Sequence, residues 1–156
     1  MRMADLVSVD RMIPRLHGRD KRDILRKLAA EIERDAGVPS TDILDAIFQS
    51  IDLPACGPEM GVALAHALIP GVQTPLAIVA KLQPAVDFGA ADGSPTDLVV
   101  LLLSPSENPT AHLRALACIA RRMRDPAIGA GLRASKGRDS MYMLLLGSEL
   151  EIGMKA

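Results

Sequence analysis

The chain has no tryptophan, one tyrosine and two phenylalanines, so aromatic residues make up only 2% of its 156 positions. That poverty excludes the stacking platforms on which single-stranded nucleic acids and sugars are held. Net charge is missing too: 18 Lys and Arg stand against 19 Asp and Glu. Without a basic footprint no nucleic-acid partner is expected. Cys56 and Cys118 lie far apart and outside any metal-ligand spacing, so they read as free thiols of a reducing compartment. The longest apolar runs, such as "LVVLLL" at 98–103, fall well short of the ~20 residues of a membrane span. No charged leader with an apolar core and a small-residue cleavage site opens the chain. A cytoplasmic protein without membrane insertion is the expectation. Equally absent are a G-x-S-x-G elbow, an H-E-x-x-H pair and a Gly-rich phosphate loop, so neither a metal nor a cofactor is expected.

What is present reads as one domain over 1–156. Residues 1–19 show no clear period, because Pro14 and Gly18 interrupt it. Asp20 is placed to cap a helix whose Ile24, Leu25, Leu28, Ala29 and Ile32 form one apolar stripe. Lys21, Arg22, Arg26, Lys27 and Arg34 read as its solvated face. Gly37 and Pro39 end that helix, and Ser40 or Thr41 starts a second one carrying Ile43, Leu44, Ile47 and Phe48. Residues 50–61 read as a loop. "GVALAH", "TPLAIVAKL" and "DLVVLLLS" read as strands, the last continuously apolar as in a central strand covered on both faces. A helix follows Pro109, a short one follows Pro126, and the ambiguous C-terminal segment favours helix with Asp139 as its cap. Helices on both sides of at least three strands in sequence predict an α/β layer architecture.

Three histidines carry the chemical interest. His17 sits in a polar stretch and reads as a surface residue. His112 heads the stripe Leu116, Ile119, Ala120 and Met123, in the first turn of its helix, where the positive helix end favours a neutral imidazole. His66 ends a short apolar segment, and a strand's carboxyl end in an α/β sheet opens into a crevice. Taken one at a time, a packed structural imidazole and a reactive one both remain open for His66 and His112.

The order of these features resembles the EIIA domains of the fructose/mannitol type in the phosphoenolpyruvate–sugar phosphotransferase system, nearest to the nitrogen-regulatory branch (EIIA-Ntr). The resemblance covers about residues 6–147. The family pattern G-x-A-x-P-H is met at Gly61, Ala63 and His66, and the strand–Pro–helix segment at Asp97–Pro105 and His112–Asp125. It implies a single-domain mixed β-sheet flanked by helices. It also implies a phosphocarrier in which His66 accepts a phosphoryl group from an HPr-type phosphocarrier and His112 stabilises it. An EIIB domain or a regulatory target protein would be the onward partner.

Further donors to the phosphoryl oxygens are expected from Ser104, Thr110 and the backbone at the start of the second histidine's helix. An apolar rim of Val62 and Leu64 is expected to receive the partner. The chain departs from the family at Ala65, where relatives carry Pro. Ser50 and Ile51 stand where relatives carry an Arg-Glu pair, and Glu59 stands in the loop between. These departures set out the alternative of an EIIA-like binding module that regulates partners without efficient phosphorylation. A small hydrolase using His66 as base would need a nucleophile or metal set that the sequence lacks.

Overall fold

From Leu98 to Leu103 every side chain is apolar and every one is buried. Such a run has no solvent face to offer, and in a computed structural model of the chain it forms the heart of an interior strand. The structure describes residues 1–49, 61–90 and 92–155, with side chains described as far as Gly147. The expected loop at 50–61 therefore lies, but for Gly61, outside the described residues, as do Cys56 and the departures at Ser50, Ile51 and Glu59.

Among the described residues four strands build one sheet: β1 (Met12–Leu16), β2 (Val62–Ile69), β3 (Leu76–Val86) and β4 (Thr96–Pro105), in the order β1-β3-β4-β2. β1 runs parallel to β3, β3 antiparallel to β4, and β4 parallel to β2, so the sheet is mixed, as expected. β1 was not expected, because Pro14 lies within it. The sheet tolerates that proline because β1 is an edge strand, where a missing N–H can face away from the ladder. β2 continues beyond His66 to Ile69, so the histidine lies within the strand rather than at its end.

Among the described residues five α-helices cover the two faces: α1 (Lys21–Ala36), α2 (Ser40–Gln49), α3 (Pro109–Met123), α4 (Pro126–Ala134) and α5 (Arg138–Lys155). Side chains alternate across a strand, so β4 sends Val99, Leu101 and Leu103 into a core with α1 and α2. It sends Leu98, Val100 and Leu102 into a second core with α3, α4 and α5. In α3 the buried positions are His112, Ala115, Ile119 and Met123; Leu116 is only half-buried, the small Ala115 taking the place nearest the sheet. α5 starts at Arg138, which puts Asp139 in its first turn rather than at the cap.

Asp20 caps α1 as expected, its carboxylate accepting the Asp23 N–H at 2.8 Å. Asp23 reciprocates toward the entering chain. Its buried carboxylate accepts from the Arg19 N–H at 3.0 Å and from the Arg26 guanidinium at 2.7 Å, with Lys27 nearby. Part of the cationic face of α1 is thus organised around one acid. These partners, the Arg19 amide first, hold the Asp23 carboxyl well below its ordinary 3.8, at about 2. The unfolded chain binds this proton more readily, so the stabilisation is complete above pH 3.8 and disappears as the pH falls towards about 2. Asp23→Asn is expected to lower the urea midpoint at neutral pH, with the gap to the parent closing across that acid window. An equal gap at neutral pH and at pH 2 would contradict the assignment.

Candidate functional site

β2 and β4 run parallel in a register that pairs His66 with Leu102 and Leu68 with Ser104. On β2, Val62 and Leu64 belong to the core under α3, α4 and α5. Strand alternation sends His66 to that same face, and Ser104 follows Leu98, Val100 and Leu102 on β4 in the same way. The register itself is anchored at the start of β2, where the Gly61 carbonyl accepts the N–H groups of Asp97 and Leu98. Gly61 has φ +73°, and a Cβ there would meet Arg133 and Asp97 at 3.0 Å, which explains a glycine at this point. Arg133 and Asp97 are bound to each other by two hydrogen bonds of 2.7 and 2.9 Å.

After Pro105 the chain turns within a few residues into α3, whose cap Asn108 accepts the Ala111 N–H at 3.1 Å. That short turn lays the first turn of α3 back over the ends of β2 and β4. His112 is thereby inserted between His66 and Ser104. Its Nε2 lies 3.1 Å from His66 Nδ1 and its Nδ1 lies 2.7 Å from Ser104 Oγ. The two imidazole rings have centroids 5.1 Å apart and are tilted by 47°.

The pair is graded in exposure. Ser104 is fully buried, His112 is 7% exposed and His66 is half-buried. His66 Nε2 makes no hydrogen bond with any described residue. Loss of hydration holds His66 below its ordinary value of 6.5. It does the same to His112, helped by repulsion from His66. Both rings are therefore neutral at neutral pH, and the half-buried His66 has a second nitrogen without a hydrogen-bond partner among the described residues. That arrangement suits a nitrogen nucleophile backed by a proton acceptor.

Of the further donors expected, Ser104 is placed behind His112, with its hydroxyl directed to Nδ1. Thr110 is exposed on the first turn of α3 and bonds to neither imidazole. Backbone donors at the helix start are partly spent: Pro109 has no N–H, Ala111 donates to the Asn108 side chain and His112 to the Asn108 carbonyl. The expected rim of Val62 and Leu64 is a correction, for these side chains are 3% and 5% exposed and belong to the core. Alternation that carries His66 under α3 carries them there too. The exposed large apolar residues nearest the pair in sequence are instead Leu68 and Leu113, at 38% and 66% exposure. A single sequence did not single them out, since an exposed leucine reads as core until the helix covering it has been placed. His17 is exposed, as expected. Among the described residues there is no cluster of three or more His, Cys, Asp or Glu able to hold a metal ion, and no helix long and apolar enough to cross a membrane.

Comparison with known proteins agrees with the fold and extends it. A nitrogen regulatory protein of Bradyrhizobium diazoefficiens is 34% identical over 145 residues, covering 93% of this chain and 95% of that one. The crystal structure of nitrogen regulatory protein IIA-Ntr from Neisseria meningitidis superposes with a TM-score of 0.84 at 21% identity, covering 92% of this chain and 98% of the other. The mannitol enzyme IIA of Escherichia coli, solved in complex with phosphorylated mannitol enzyme IIB, gives a TM-score of 0.75 at 14% identity, covering 91% of this chain and 99% of that one. Residues 5–147 match the family described as phosphoenolpyruvate-dependent sugar phosphotransferase system, EIIA 2. With its mixed sheet, its flanking helices and this match over nearly its whole length, the chain belongs to the EIIA 2 family of the phosphotransferase system.

Proposed function

We propose that the protein is a cytoplasmic regulatory phosphocarrier, which takes a phosphoryl group on Nε2 of His66 from a histidine-phosphorylated donor of the HPr type. The observation that carries this reading is the 3.1 Å contact between His66 Nδ1 and His112 Nε2. It engages one nitrogen of a neutral, half-buried imidazole and leaves the other available to an incoming phosphorus.

The reactive tautomer of His66 carries its proton on Nδ1. The Nε2 lone pair attacks phosphorus in line with the donor's N–P bond, which breaks, and its electron pair returns to the donor ring. The Nδ1 proton passes to His112 Nε2, leaving a neutral phosphorylated ring on His66 and an imidazolium on His112. Desolvation alone disfavours that imidazolium, but the phosphoryl dianion now beside it supplies the countercharge. Phosphoryl transfer asks the protein for position and charge stabilisation, and this pair supplies both. Reversal of the same step hands the group on.

The onward partner is a protein of the EIIB kind or a regulatory target. The mannitol relative's solved complex with a phosphorylated enzyme IIB supports such a partner. Leu68 and Leu113 flank the histidines in sequence and are exposed, which suits a small, transient contact that excludes water from the transfer.

Incubation with phosphoenolpyruvate, enzyme I and HPr is expected to place an acid-labile, base-stable phosphate on the protein. His66→Ala abolishes it; His112→Ala still accepts label, but ~10²-fold more slowly, the usual size of a lost proton acceptor. Label that survives on His66→Ala overturns the acceptor assignment, and an unlabelled parent protein favours the binding-module alternative.

Because both histidines are held below 6.5, acceptance should stay level as the pH falls from about 8 to 6.5 and decline only below that value. A decline centred above 6.5 contradicts a neutral resting pair. Leu113→Asp is expected to raise the KM for phosphorylated HPr about tenfold with kcat preserved, the loss of one apolar contact. An unchanged KM places the docking surface elsewhere.

A further inference from the structure

We infer that Ser104 is a positioning residue for the histidine pair: its buried hydroxyl holds the His112 ring with Nε2 towards His66 and partners Nδ1 in every protonation state that His112 passes through. The contact stands on geometry alone; its consequence for phosphoryl transfer rests on the phosphocarrier reading.

An imidazole tethered at one nitrogen can turn over about its Cβ–Cγ bond and present carbon where nitrogen is needed. His112 is tethered at both, to Ser104 Oγ at 2.7 Å and to His66 Nδ1 at 3.1 Å. The two contacts lie on different strands, and their spacing is set by the β2–β4 register. No water can substitute readily for the first contact, because Ser104 is fully buried and His112 nearly so.

The choice of a hydroxyl also matters. When His112 Nδ1 is bare, Ser104 donates into its lone pair. When Nδ1 carries hydrogen, in the reactive tautomer and in the imidazolium, the same oxygen accepts. A carboxylate could only accept from Nδ1 and would hold His112 charged; an amide would have to turn over to change roles. A buried serine follows the proton without moving its chain. Among the described residues, His66 is the titratable group whose charge acts on His112, so Ser104 supplies a neutral partner on the opposite side.

The role is strongest in the imidazolium, where a missing partner leaves a buried N–H donor of a cation unsatisfied. Removing the hydroxyl should therefore make His112 harder to protonate and slow the step that needs it. A residue that only filled space would not move a titration.

The experiment compares Ser104→Ala, Ser104→Cys and Ser104→Thr with the parent by ¹⁵N NMR of the histidine rings across pH, with the backbone amide spectrum reporting the fold. Ser104→Cys keeps the volume but offers a poor partner, whereas Ser104→Thr keeps the hydroxyl. In the Ala and Cys variants His112 is expected to titrate about one pH unit lower, and phosphate uptake from phosphorylated HPr to slow about tenfold at unchanged KM. Ser104→Thr restores both. An Ala variant with a native amide spectrum and unchanged His112 titration and ring shifts overturns the inference. A lowered titration in a protein whose parent form accepts no phosphate upholds the contact and removes the phosphocarrier reading instead.

Discussion

The site depends on one constraint, the parallel register of β2 against β4. Strand side chains alternate with a period of two, so a slip of one residue would turn every β2 side chain to the opposite face. His66 would then point into the core beneath α1 and α2, away from His112. The register is held where the strands begin, by the Gly61 carbonyl and the Asp97–Arg133 pair, and the chemistry is assembled further along. The anchor of the register and the histidine pair share one ladder but occupy different stretches of it.

Burial then sets the electrostatics of the two imidazoles: loss of hydration is the leading cause that lowers both, and among the described residues His66 adds its repulsion to His112. The pair lies where α3 begins to cover the sheet, so Ser104 is dry, His112 nearly so and His66 only half-buried. That gradient keeps both rings neutral and leaves His66 the more exposed of the two. The backbone presentation of His66 likewise comes from the sheet. The resemblance led to the expectation of a proline before this histidine; here Ala65 pairs with Leu101 and His66 with Leu102. A hydrogen-bonded ladder restrains those dihedrals in place of a pyrrolidine ring.

Much of this was legible in the chain before any coordinates. The unbroken apolar run of β4, the Asp20 cap and the stripe of α1 are local signals whose causes lie within a few residues. β1 was not legible, because a proline in a short strand argues against a strand unless it is known to lie at an edge. The same limit hid the exposed leucines: Val62 and Leu68 look alike in sequence, yet one lies in the core and the other is exposed.

The sequence by itself determined the layer architecture and two histidines in apolar settings, which follow from periodicity, capping or residue type along contiguous segments; its resemblance to a known family pointed to the rest. Only the tertiary structure decided that Ser104 stands behind His112 and which nitrogen of His66 is engaged. Those facts depend on which residues face each other across two strands and a helix. Residues 66 and 112 are joined by 3.1 Å of space and 46 positions of chain, and no local preference encodes that distance.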